Sequence, residues 1–317
     1  KALLSPYRMG GRNETSVMYF ILLGFPSAAD VQPLLFSALL LVYSFTVLEN
    51  FLIILIIRAN DSLRKPMYFF LGNLSFLEIC YVSVIEPKML MDFFSQDKRI
   101  SFQGCMAQLY FFVTFVCTEF TLLTVMAFDR FLAICKPLRY PLIMNHQLCS
   151  RLTAGCWMCG LIASSIKLSF IARLSFCNVD KINHYFCDIS PLLNISCSDP
   201  SSAELVDFIL ALIVIMVSLC AVVTSYICII FALLKVPSSQ GRQKAFSTCT
   251  SHLTVVILFY STTLFTYARP QVTYTHSANK CVSILYTIVV PLLNPLIYCL
   301  RNKEVRIAIK KIFACMR

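Results

Sequence analysis

Long apolar stretches alternate with short polar ones along this chain, and that alternation dictates most of its architecture. Seven stretches stand out, near Pro33–Ile57, Met67–Met91, Gln103–Ile134, Cys149–Ile171, Glu204–Leu234, Lys244–Tyr267 and Asn279–Leu300. Each reaches the roughly 20 residues an α-helix needs to cross a bilayer core of about 30 Å. The pattern predicts an all-α membrane protein, a seven-helix transmembrane bundle with a short amphipathic helix after it. Pro33, Pro66, Pro87 and Pro291 start or bend helices, which membrane helices tolerate because neighbours satisfy the freed backbone groups. The expected division is an extracellular segment over 1–32, a transmembrane domain over 33–300 and a cytoplasmic tail over 301–317. In the tail, Val305, Ala308, Ile309, Ile312 and Phe313 recur at helical spacing beside Arg306, Lys310 and Lys311. That spacing predicts a helix lying on the inner leaflet.

Composition agrees. The 317 residues are 58% hydrophobic and 14% charged, and mean hydropathy is +0.75. A soluble domain carries about a quarter charged residues, so the bilayer is the expected solvent and partner. A net charge of +11 raises nucleic acid as a partner, but its placement argues against one. With the amino terminus outside, 16 of 27 basic residues fall in cytoplasmic segments, the sense of the positive-inside bias. The sequon Asn13-Glu14-Thr15 marks a glycosylation site on the same outer side, whereas Asn73-Leu74-Ser75 falls inside a helix and is set aside. The first thirty residues carry no cleavable leader pattern, so the first span is expected to direct insertion. A multi-pass protein of the plasma membrane is expected.

The 16 cysteines sort by compartment. Cys105, Cys177, Cys187 and Cys197 fall outside, where disulfides form, and four cysteines allow three complete pairings. Cys156 and Cys159 have redox spacing but lie in the fourth span, where packing is the reading. Cys315, just past the last helix, is a palmitoylation candidate. His184 near Asp188 could be imagined as a metal ligand, but a loop hydrogen-bonding role is favoured.

Polar residues inside the spans carry the chemistry. Asp129-Arg130 closes the third apolar stretch, and an arginine so near hydrocarbon reads as functional. Glu119 precedes Arg130 by eleven residues, close to three turns, on one face and about 16 Å away along the axis. With Arg130 at the inner edge, Glu119 lies near the membrane centre. Glu78 reaches a similar depth, and with Asn50 and Asn294 a hydrated polar cluster can form. Two readings stay open. Glu78 and Glu119 hold a sodium ion or a shared proton that favours the resting state, or they are neutral acids that specify packing.

Met126–Cys135, read as MAFDRFLAIC, resembles the MAYDRYVAIC signature of odorant receptors, a branch of the rhodopsin-like G-protein-coupled receptors. Phe128 and Phe131 stand where that family usually has tyrosine. Further matches follow in order: Leu63–Leu71, Pro87–Leu90, Ser225-Tyr226, Lys244–Cys249 with Ser251–Leu253, and Pro291–Tyr298. The resemblance runs from about residue 20 to residue 313. Glu49 and Glu78 depart from the family's usual glycine and aspartate.

The resemblance implies pairings Cys105–Cys187 and Cys177–Cys197, which would pin a loop across the bundle mouth. It implies that Asp129 holds Arg130 at rest, and that outward swing of the sixth helix frees Arg130 to act with Tyr226, Lys244, Asn294 and Tyr298. The partner would be a stimulatory heterotrimeric G protein, acting through cyclic AMP. No cofactor is called for.

A ligand site between helices is mostly apolar with a few polar groups. The outer half offers Leu109, Phe112, Val113, Val116 and Cys117 on the third helix, with Leu210, Ala211 and Val214 on the fifth. Tyr260, Thr263, Leu264 and Tyr267 come from the sixth, Ile284 and Thr287 from the seventh, and Ile189 and Ser190 from the loop above. The two tyrosines are the strongest, each setting a hydroxyl in an apolar wall. Phe112 stands where amine receptors of the superfamily carry aspartate, so a small, uncharged volatile is expected. Lys167, Asp207 and Lys280 read as solvated rim charges. An ion channel or transporter is the rival class, but the chain shows no repeated halves. An enzyme is not expected, since no His-Glu-x-x-His pair or nucleophile-base set is present.

Overall fold

The computed structural model describes residues 18–25, 31–177, 181–235, 239–267, 280, 282–301 and 305–308. For residues 239–248, 251, 265–267 and 298–301 it describes the backbone alone. Five helices are long and apolar enough to cross a membrane: α1 Gln32–Ala59, α2 Pro66–Phe94, α3 Phe102–Cys135, α5 His146–Ile171 and α7 Ser201–Leu234. The short α4, Tyr140–Ile143, lies between α3 and α5, and α6, Ile189–Asn194, between α5 and α7. Among the described residues, two further helical segments bring the number in the bundle to seven. One is α8, Ser239–Tyr267; the other runs from a π-helical turn, Leu285–Val289, into α9, Val290–Arg301. The chain is an all-α multi-pass membrane protein.

Local chemistry sets the helix ends. Pro33 and Pro66 occupy first-turn positions of α1 and α2, where the missing N–H costs nothing. Ser101 caps α3 by accepting from the Gly104 amide at 3.0 Å, and Asn145 caps α5 by accepting from Leu148 at 2.8 Å. Backbone α8 begins five residues before the expected Lys244, because polar Ser239–Gln243 continues the helix beyond the apolar stretch. Apolarity registers only the part of a helix that lipid touches.

Helix α3 is the axis of the bundle and packs most extensively on α5 and α7. Its best apolar stretch is 67% buried, against 17% in α7 and 22% in α1, whose exposed leucines and isoleucines face lipid. Two buried clusters stack along α3, an outer one around Phe112 and an inner one around Met126, and Val116 packs against both. At Gly160 on α5 a Cβ would lie 2.5 Å from the Thr114 carbonyl oxygen and 2.4 Å from the Thr118 hydroxyl, so only glycine allows this α3–α5 approach.

A three-stranded sheet at the outer mouth was not expected from the pattern. Strand β1, Tyr19–Leu22, lies between antiparallel β2, Arg99–Ser101, and parallel β3, Lys181–Ile182. Phe20 and Leu22 point inward and are fully buried. All four residues of β1 are apolar or aromatic, so its two-residue period leaves no trace in composition. After β1, Gly24 adopts φ +63°, a left-handed turn that favours glycine.

Of the tail, residues 305–308 are helical; Val305 and Ala308 are buried against the inner cluster, while Arg306 and Ile307 are exposed. Asn13, Ile309, Lys310, Lys311, Ile312, Phe313 and Cys315 lie outside the described residues.

Candidate ligand pocket and coupling site

The loop between α5 and α7 covers the bundle and is held by two disulfides, Cys105–Cys187 and Cys177–Cys197, with Cα separations of 5.5 and 5.9 Å. Gln108 on α3 reinforces the first. Its amide nitrogen donates to the Val84 carbonyl at 2.9 Å, and its oxygen accepts from the Cys187 amide at 2.9 Å. The same loop hooks the last span. The Tyr185 hydroxyl donates to Thr287 Oγ1 at 2.8 Å, since Thr287 already donates to the Ser283 carbonyl. His184 Nδ1 accepts from the Phe186 amide, leaving Nε2–H to donate to Ser283 Oγ at 3.2 Å. Burial, and then the nearby Lys280 charge, push the His184 pKa down to about 3, so the ring is neutral. His184 is thus a loop anchor, and Cys187 is spent in a disulfide.

Beneath this lid Leu109, Phe112, Val113, Cys117 and Ile189 are buried in the outer cluster, with Ile284 packed on it. The Phe112 ring meets those of Tyr81, Phe186 and Tyr286. Ala211, Val214 and Tyr260 join the inner cluster, and Leu210 is half-buried. The polar neighbours of the Tyr260 hydroxyl are Ser218 and Thr124, each of which donates to a carbonyl of its own helix. Thr263 is buried and donates to Phe259, and Ser190 is exposed. The Tyr267 side chain lies outside the described residues.

Three expectations need correction. Leu264 is 38% exposed and is not part of the inner wall. Thr263 already takes the inward direction, and the next residue is turned about 100° from it. Thr287 is fully buried, and its hydroxyl accepts from Tyr185 and donates to the Ser283 carbonyl. Lys167 and Lys280 are not solvated rim charges. Lys167 is 5% exposed and pairs with Asp207 at 2.7 Å, and Lys280 donates to the Gly24 carbonyl at 2.6 Å. The lid removes these helix ends from water, so each charge takes a protein partner.

The Lys167–Asp207 pair is a buried ion pair between α5 and α7. Its field reaches the Cys117 thiol and Asp188, which caps α6 through the Ile189 amide at 2.8 Å. Burial is the main cause that raises the Asp188 pKa to about 6.

Near mid-membrane, Asn294 donates to Glu78 at 2.5 Å and to Glu119 at 3.3 Å, and all three are at most 2% exposed. Asn50 does not join them by a direct bond; its amide donates to Thr46 in its own helix. Glu78 Oε2 and Asn294 Oδ1 have no protein partner.

At the inner end Arg130 is buried, and its Nε and Nη2 both donate to Asp129 Oδ2. Tyr140 on α4 donates to the other Asp129 oxygen at 2.8 Å, fixing the carboxylate from the connection between α3 and α5. Beside Arg130, His252 ties three helices. Its Nε2–H donates to the Leu123 carbonyl on α3 at 3.1 Å, so Nδ1 accepts from the Tyr226 hydroxyl on α7 at 2.6 Å. His252 falls within the Ser251–Leu253 match, which gives it no role, and Tyr140 falls within none of the matches. The Lys244 and Tyr298 side chains lie outside the described residues.

A buried arginine at the inner end of a central helix, whose outer end is bonded to a covering loop, is the organisation of a class A G-protein-coupled receptor. Residues 39–315 match the family model described as olfactory receptor, and the chain belongs to that family. It is 64% identical to human olfactory receptor 6Y1, over 96% of this chain and 93% of that protein. It is 56% identical to human olfactory receptor 6P1, over 92% of each, and 51% identical to rat olfactory receptor 226, over 96% and 94%. The family is one of receptors for odorants that act on G proteins, rather than of enzymes.

Proposed function

We infer that this receptor binds a small, largely apolar volatile molecule in the outer half of the bundle and activates a stimulatory heterotrimeric G protein, raising cyclic AMP. The observation that carries the reading is the division along α3: an apolar, lidded outer cluster, and an inner cluster where Arg130, Tyr226 and His252 meet. Leu109, Phe112, Val113, Val116 and Cys117 supply one wall, and Tyr260 sits at the floor. Lys167 offers the polar contact. Its charge is already balanced by Asp207, so a neutral hydrogen-bond acceptor suits it better than a second carboxylate.

The amino terminus is outside and the carboxy terminus cytoplasmic, in the plasma membrane. Ligand contraction around Tyr260 shifts the population toward a state in which the inner end of α8 leaves α3. An agonist acts only through its affinity difference between the two states. The paired acids fit a hard cation such as sodium, because Glu78 Oε2 and Asn294 Oδ1 are buried oxygens without partners. These groups would favour the resting arrangement.

A broad odorant panel in cells carrying a cyclic AMP reporter tests the function, run with and without the stimulatory α subunit. Responses that vanish with the subunit are expected. Odorant-gated current in its absence would mean a channel instead. Sodium dependence of activation is expected to disappear in Glu119→Gln, and dependence that survives would remove the cation from the account.

A further inference from the structure

The covering loop carries a feature that neither the ligand pocket nor the coupling site uses. Asn194-Ile195-Ser196 has the Asn-x-Ser pattern of an N-glycosylation acceptor, with isoleucine rather than proline in the middle. The pattern is common by chance, so placement must separate its copies. Among the described residues there are three: Asn60-Asp61-Ser62, Asn73-Leu74-Ser75 and Asn194-Ile195-Ser196.

The first two are badly placed. Asn73 lies within the spanning helix α2, where its amide donates to the Phe69 carbonyl at 2.8 Å. Asn60 lies before the start of α2, and its amide donates to the Ile56 carbonyl at 2.8 Å. The 29 residues of α2 span about 43 Å, and its far end leads to β2 and the Cys105 disulfide. Asn60 is therefore a membrane's thickness away from the disulfides. Disulfides mark the oxidising, luminal side, where sugars are also attached to asparagine.

Asn194 differs on each count. It stands three residues from Cys197, which is bonded to Cys177. It ends α6, whose Ile189 and Leu192 are buried in the outer cluster. Two residues past Leu192 a helix has turned about 200°, so Asn194 points away from the bundle, and it is exposed. Among the described residues its amide forms no hydrogen bond. In the folded loop the Ser196 hydroxyl donates to the Ser198 carbonyl at 2.9 Å, and the Cys197 amide donates to the Ser175 carbonyl at 2.9 Å. The acceptor segment is fixed there, so sugar transfer belongs to the nascent chain, before Cys197 meets Cys177.

We propose that Asn194 carries an N-linked oligosaccharide on the outer face of the covering loop. The donor is an oligosaccharide linked to a lipid diphosphate. Asn194 Nδ2 bonds to the anomeric carbon of the first sugar, and the bond from that carbon to the diphosphate breaks. The lipid diphosphate leaves with the bonding electrons, and one Nδ2 proton passes to a base of the transferring enzyme. Because Asn194 faces away from Leu192, the glycan is kept without displacing the lid.

The test uses the full chain expressed in mammalian cells and treated with peptide-N-glycosidase in water labelled with heavy oxygen. The enzyme turns each glycan-bearing asparagine into a labelled aspartate, which peptide mass spectrometry locates. Label at Asn194, and none at Asn60 or Asn73, is expected. Ser196→Ala should abolish the Asn194 label, and Ser196→Thr should retain it. Transfer precedes folding, so a variant that folds poorly still reports. Asn194 recovered without label from the parent chain would overturn the proposal. Label at Asn60 would overturn it too, since Asn60 and Asn194 lie on opposite sides of the membrane, as would label at Asn194 that survives Ser196→Ala.

Discussion

The outer and inner halves of this receptor are built by different means. The outer half is clamped. Two disulfides, a three-stranded sheet, the Gln108 bridge and the Tyr185 and His184 hooks hold the loop to α2, α3 and the last span. The inner half has no covalent tie among the described residues. There α3, α7 and α8 meet through His252, the Tyr226 hydroxyl, a Cys135 thiol that donates to the Cys228 carbonyl at 3.5 Å, and apolar contact. A disulfide contributes about 2–4 kcal/mol, and a single hydrogen bond about 0.5–1.5 kcal/mol net. The difference teaches where motion costs least: the loop-covered end keeps its shape while the Arg130 end can open.

The comparison is broken most severely at the clamp. Cys105→Ser should cost about 2–5 kcal/mol and largely abolish surface expression, read by labelling of intact cells. Next comes the α3–α5 seam. Gly160→Leu forces a side chain into the Thr114 carbonyl and should cost about 3 kcal/mol or more, read as a lowered Tm of detergent-solubilised receptor. Unchanged stability in that variant would mean that the helices are not this close.

At the inner half, His252→Phe keeps an aromatic ring but removes the donor to the Leu123 carbonyl and the nearer acceptor of the Tyr226 hydroxyl, which retains only the Cys249 carbonyl at 3.4 Å. It should cost about 1–3 kcal/mol in the same assay. A loss as large as that of Cys105→Ser would erase the contrast between the halves.

The smallest effect is a pH dependence in the clamp. His184 is neutral when folded, with a pKa near 3, whereas an unfolded histidine titrates at 6.5. The unfolded state therefore binds the extra proton first. Stability falls by about 1.4 kcal/mol per unit as pH drops below 6.5. Asp188, raised to about 6, works the other way, gaining stability as pH falls from about 6 toward 3.8. Thermal inactivation at pH 7.5 and 5.5 should show a net loss in the parent and none in His184→Gln. An acid-induced loss that persists in that variant would place the sensitivity elsewhere.

These contrasts were unevenly legible. The spans could be read from apolar length, and the inner end from Asp129-Arg130, because a charge in hydrocarbon stands out against its neighbours. The disulfide pairings could be inferred by resemblance, since spacing alone left three choices. What could not be read is what joins residues far apart in sequence. Lys167 and Asp207 each look like rim charges until the loop closes over them, and His252 gains its partners only when α3 and α7 lie beside it. Strand β1 is apolar throughout and pairs with segments about eighty and one hundred and sixty residues away, so no local period announces it. The π-helical turn at Leu285–Val289 lies among residues the loop engages, yet nothing in its composition marks a departure from α-helix.

The most direct test separates the two halves in one protein. Odorant binding and odorant-stimulated nucleotide exchange on the stimulatory G protein are measured on purified receptor, parent against Arg130→Ala. Binding within about threefold of the parent, with exchange reduced to the level without odorant, is the predicted result, since the outer cluster does not contain Arg130. Exchange that survives the loss of Arg130, or binding lost along with it, would contradict a clamped ligand end joined through α3 to a separate transducer end.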